Sequence, residues 1–233
     1  MTRTRQAVAG SGLLGFVLCL VGGFSLGRNQ PGATDSVESV RSYISANWVG
    51  IHMHQTFLAL GLLFGLVFAT FLCSVLRPAE GEAGSLSALA LVAATVAVSV
   101  HLSMTAVHSA TFVDAANTVD LRSLATAIVR ELTILELFPW AAFFAAVAVL
   151  SLTRRALPRW LGWTAAVLAV IDLVLGAWSG LIGVNARFDV GSFIPPFVLI
   201  HFVPPLWLGA ASVVLLRREL MTRPRGAAVP IRP

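Results

Sequence analysis

Apolar residues fall into six long blocks along this chain, and polar residues gather between them. The blocks run roughly over 8–26, 48–76, 86–108, 132–152, 160–183 and 193–216. About 20 residues at 1.5 Å rise each match the ~30 Å hydrocarbon core of a bilayer, so every block is long enough to cross one as a helix. The pattern predicts an all-α fold: a polytopic membrane bundle of six transmembrane helices, forming a single membrane domain over 1–233.

The polar connections add detail. After an NQPG turn, Val37, Val40 and Ile44 recur at helical spacing with Glu38 and Arg41 between them, which predicts a short interfacial helix on the outer surface. Gly61-x3-Gly65 in the second block lets another helix approach closely. Asp120 can cap a helix starting at Leu121. Leu121, Leu124, Ile128, Leu132 and Leu135 then continue one apolar stripe, so the fourth helix is expected to begin in the outer interface. Pro139 removes the donor for the Leu135 carbonyl, and Pro204-Pro205 removes those for Ile200 and His201. Inside a bilayer such carbonyls need a neighbouring helix, a water or a ligand. The stretch 8–26 is longer than the apolar region of a usual signal peptide, so it is expected to stay as the first helix. The basic, Pro-rich tail 221–233 is expected to be disordered.

Composition agrees with a membrane assignment. The chain is 57% hydrophobic and only 12% charged, where a soluble domain carries about a quarter charged residues. All 16 basic residues are Arg. They sit at the ends of apolar blocks, a topology signal and not a phosphate-binding face, so no nucleic acid is expected. Eleven of them (Arg3, Arg5, Arg77, Arg154, Arg155, Arg159, Arg217, Arg218, Arg223, Arg225 and Arg232) fall on the side of the chain ends, and five (Arg28, Arg41, Arg122, Arg130 and Arg187) on the other. This excess places both termini in the cytoplasm. The complete absence of Lys fits a GC-rich bacterial genome, hence a multi-pass protein of a bacterial plasma membrane. Cys19 and Cys73 lie inside apolar blocks without a CxxC, so no disulfide framework is expected.

Alternating the six helices brings all five histidines into the outer half. His52 and His54 open the second block, His101 and His108 share a face of the third, and His201 lies on the sixth. Glu131 and Glu136 begin the fourth block from the same side, Asn185 and Arg187 close the fifth there, and Asp172 is nearer the bilayer midplane. His52 and His54 diverge by about 160° on a helix, and Glu131 and Glu136 by about 140°. One member of each pair can therefore face inward; the deeper His54 and Glu136, beside the Pro139 kink, are the interior candidates. His54, His101, His108 and His201 are candidate ligands for a metal ion or haem, since imidazoles on facing helices hold such groups. Glu136 and Asp172 are candidate catalytic acids or bases. No HExxH and no glutamate–histidine i,i+3 pair is present. The plain alternative is a structural polar network between helices.

Three functions fit: a non-catalytic integral membrane protein with an outer-facing His/carboxylate site, working beside membrane partner subunits; an enzyme using acid/base chemistry on a lipophilic, isoprenoid-like small molecule; or a metal- or haem-binding membrane protein. The lipid bilayer is the partner common to all. From His108 to Trp163 the chain resembles a broad group of uncharacterised bacterial six-helix membrane proteins, on the segment DAANTVDLRSLATAIVRELTILEL and the re-entry LPRWLGW. The resemblance implies the six-helix architecture.

Overall fold

The computed structural model describes residues 3–25, 35–81, 84–113, 119–182 and 194–221. These form six helices: α1 Arg3–Ser25, α2 Val37–Glu80, α3 Ser85–Val113, α4 Val119–Arg154, α5 Arg159–Ile182 and α6 Ile194–Met221. Over the described residues, α1 to α5 each contain a stretch long and apolar enough to cross a membrane. The expectation of six is met in helix number, and in spanning length for five.

The interfacial helix is not separate. It begins at Ser36, whose side chain accepts the Ser39 N–H at 3.2 Å, and runs into the second spanning segment through a kink at Asn47 (φ −120°, ψ 17°). There the Asn47 amide turns back to the Tyr43 carbonyl at 3.0 Å, the local side-chain bonding that makes Asn a poor helix-interior residue. At the far end of α2, Gly81 (φ 86°) terminates the helix. The Glu80 carboxylate accepts the N–H groups of Leu86 (2.5 Å) and Ser87 (3.0 Å). It thus satisfies donors that the first turn of α3 would otherwise leave open.

Sequential helices pack antiparallel. Along the α1–α2 seam, Gly15 lies on Gly61, Gly22 on Leu58 and Ser25 on Gly50. Along α3–α4, Met104 meets Thr133 and His101 meets Glu136. Along α4–α5, Phe138 meets Gly176 and Leu152 meets Gly162. α1 and α6 are also antiparallel, with Phe16 against Gly209 and Leu13 against Ser212. Ser212 enters the backbone ladder of α1: it accepts the Leu13 N–H (3.1 Å) and donates to the Ala9 carbonyl (2.5 Å), the two groups that would otherwise bond to each other. α1 is therefore built into the bundle, its start beside the end of α6.

The core is aromatic. Trp140, Phe143, Phe144 and Trp207 pack edge-on and stacked, with centroids 5.2–6.2 Å apart. Small residues of α3 (Ala90, Ala93, Ala94 and Ala97) fill in around them. The outward faces are as apolar as the inside: Val167, Val170, Leu173 and Val174 of α5 are all more than half exposed. On the stripe read into α4, Leu124, Ile128 and Leu135 are 57%, 40% and 55% exposed. The helix is real, but these residues point outward. A surface facing lipid has no reason to be polar, so an apolar stripe does not mark the core.

Candidate functional site

His101 is the centre of the polar constellation. It sits on α3, about three turns before the C-terminal end of that helix, and is 2% exposed. Its Nδ1 lies 2.9 Å from both carboxylate oxygens of Glu136 on α4. Glu136, 1% exposed, also accepts the indole N–H of Trp140, one helical turn further along α4, at 2.8 Å. Two donors from two helices thus hold one carboxyl group. With Nδ1–H donating to Glu136, the buried Nε2 is the ring's second nitrogen and carries the lone pair in the neutral ring. Thr105 donates to the His101 carbonyl at 2.9 Å, and the Thr133 hydroxyl lies 3.0 Å from Met104 Sδ on the same side of the pair.

The remaining candidates line up on either side. Asp172 of α5 lies within electrostatic reach of Glu136, His54 within reach of His101, and His108 within reach of His54. His108, His54, His101, Glu136 and Asp172 come from four helices, α2 to α5. His54 donates Nδ1–H to the Gly22 carbonyl of α1 at 2.9 Å. Asp172 is 7% exposed and has no hydrogen bond or ion pair among the described residues; its Oδ2 is fully buried. It occupies the narrow strip of α5 that faces α4, four residues before Gly176, which sits on the Phe138 ring.

The geometry sorts the sequence pairs as helical angles require. His52 turns outward, bonding the Trp48 carbonyl at 3.0 Å with its ring 4.0 Å from that indole. Glu131 is exposed and paired with its neighbour Arg130 at 2.7 Å. The side chain of His201, together with Asn185 and Arg187, lies outside the described residues; Phe202, the residue after His201, packs over Gly23. Among the described residues, no three His, Cys, Asp or Glu side chains converge as a metal-binding group.

Trp140 is a member of this site that the sequence reading does not include. The signal was there: Glu136 and Trp140 are four apart, neighbours on one helix face. A small void of about 20 Å³, roughly the room one water needs, adjoins Trp140 and is lined by Gly12, Gly15, Cys19, Gly61 and Gly65 among others.

The site can hold a proton between an imidazole and a carboxyl group, present a basic Nε2, and keep a second carboxyl, Asp172, nearby. The chain has no match among family models, curated proteins or solved structures.

Proposed function

We propose that this chain is a six-pass protein of a bacterial plasma membrane, with both termini cytoplasmic, that handles a proton at the His101–Glu136 pair in the outer half of the bilayer. Its reaction partner is a lipophilic, isoprenoid-like small molecule reaching the site from the membrane. The observation carrying this reading is the buried two-oxygen contact between His101 and Glu136, backed by the Trp140 indole. Ionisable residues inside a membrane are costly and mark proton or substrate paths by default. A carboxylate on one imidazole nitrogen makes the other a better base, the arrangement general acid–base catalysis uses. Asp172 serves as the second carboxyl.

Infrared difference spectroscopy of the protein in lipid nanodiscs tests this. An added isoprenoid alcohol or quinone should shift the carboxyl and imidazole bands together. The response should vanish in Glu136→Gln. Bands in the native protein that ignore the isoprenoid would defeat the reading.

A second reading rests on the same contact. A carboxylate bonded to Nδ1 is also how proteins orient a metal-ligating imidazole, so His101 Nε2 fits a metal ion or haem iron, with His54, His108 and His201 as further candidate ligands. An absorption band or stoichiometric metal in the purified protein that disappears in His101→Ala would move the site to this reading.

A further inference from the structure

The end of the bundle opposite the histidines carries a second cluster. The turn from α4 to α5 places Arg154, Arg155 and Arg159 within six residues, and all three are exposed. Arg217 and Arg218 lie near the end of α6, and the Arg218 guanidinium donates to the Ala156 carbonyl at 3.2 Å, fastening this part of α6 to the turn. Arg155 holds φ 55°, the left-handed region that non-glycine residues rarely adopt. None of Arg154, Arg155, Arg159 and Arg217 has a protein partner among the described residues. No Asp or Glu occurs between Glu136 and Asp172, and Glu219 is the only acid on α6. Four guanidiniums with no ionic partner among the described residues thus lie at this end of the bundle.

Directly below this corner α5 presents a continuous apolar track. Trp160, Trp163, Val167, Val170 and Val174 recur at spacings of three and four, on one face of a helix. They are 53%, 62%, 55%, 61% and 55% exposed. The two tryptophans sit nearest the arginines, where aromatic side chains mark the membrane–water boundary, and the valines continue toward the bilayer interior. Positive charge above, indoles at the boundary and aliphatic surface beneath match the headgroup, glycerol region and acyl chain of one molecule.

We propose that the corner formed by Arg154, Arg155, Arg159 and Arg217, with the α5 track below it, binds an anionic phospholipid. The guanidiniums take its phosphodiester through paired N–H donors, and an acyl chain lies along Trp163, Val167 and Val170. The site is independent of the His101–Glu136 centre. An acidic protein segment would use the arginines but has no use for an exposed track leading into the hydrocarbon, which favours the lipid.

Native mass spectrometry of the full-length protein in detergent, titrated with phosphatidylglycerol or phosphatidylcholine, tests the proposal. One phosphatidylglycerol should remain bound under activation that strips phosphatidylcholine. The triple variant Arg155→Gln, Arg159→Gln, Arg217→Gln should bind it more weakly by on the order of a hundredfold, about fivefold per charge near an anionic headgroup. Should that variant not fold, Trp163→Gln and Val167→Gln, on the exposed track, should each lower retention with the arginines intact. Inorganic phosphate at equal concentration should not displace the lipid. Equal retention of the two lipids by the native protein would overturn the proposal, as would undiminished phosphatidylglycerol binding in the variants. Ready displacement by phosphate would replace a lipid site with a plain anion site.

Discussion

Glu136 is the residue whose loss is expected to cost most. Its carboxyl group accepts from His101 and from Trp140, both buried. Glu136→Ala leaves two buried donors unserved, at about 1–3 kcal/mol each, so a loss of about 3 kcal/mol is expected in thermal or SDS unfolding of the solubilised protein. Glu136→Gln keeps a carbonyl for one donor and should lose about half as much. The double change His101→Phe, Glu136→Leu removes the polar groups together, and replacing a buried pair by apolar residues is often neutral. It should therefore recover most of the stability while remaining unresponsive in the infrared experiment. A double variant as unstable as Glu136→Ala would mean that the pair's contribution is shape and not charge. Asp172 contrasts with Glu136. With no donor facing it, Asp172→Asn should change stability by less than about 1 kcal/mol, the modest scale of polar contacts between membrane helices.

At the scale of helices, the α1–α2 seam is set by absent side chains. A Cβ on Gly15 would lie 2.7 Å from the Gly61 carbonyl oxygen, and one on Gly61 would lie 2.6 Å from Cys19 Sγ and 2.8 Å from the Gly15 carbonyl. Backbone cannot yield as a side-chain tip can. Gly15→Ala and Gly61→Ala should each destabilise by about 1–3 kcal/mol, the usual cost of overpacking. Gly10→Ala meets nothing within 4 Å and should be neutral or stabilise by about 0.5–1 kcal/mol. Equal melting temperatures for all three would refute the close seam. The sequence announced half of this contact: Gly61-x3-Gly65 was legible as a close-approach motif, but its partner was not, because α1 has glycines on several faces and only packing selects Gly15. The same limit recurs elsewhere. Helical angles showed that one member of each pair, His52 or His54 and Glu131 or Glu136, turns inward, and position along the block chose which. The pairing of His101 with Glu136 was out of reach, because the register between α3 and α4 depends on how Met104 and Thr133 interlock. The α4 stripe marked a helix but not its facing: Leu124, Ile128 and Leu135 point outward, because apolar periodicity points inward only where water lies outside.

At the scale of the molecule, antiparallel neighbours and short connections turn local register into topology. Because α1 and α6 run antiparallel, with Leu13 beside Ser212, the two chain ends leave at the same end of the bundle. The histidines gather at the other end, where His54 meets Gly22. The arginine excess belongs to the end with the termini, and positive charge is retained on the cytoplasmic side. On the proposed orientation the polar array faces the outside and the arginine corner the cytoplasm. Single cysteines decide the matter, and the background is low because the native Cys19 and Cys73 are both buried. In intact cells, a membrane-impermeant maleimide should label Asp35→Cys, just before α2, and should leave Arg154→Cys untouched until the membrane is opened. The reverse labelling would invert the molecule, placing the His101–Glu136 pair near the cytoplasm and the arginines outside. Labelling of both from outside would break the alternation of spans and with it the six-pass arrangement. The expected outcome leaves an acid–base centre in the outer half and a lipid-holding corner on the inner side, in a bundle whose antiparallel helices carry these groups to opposite ends.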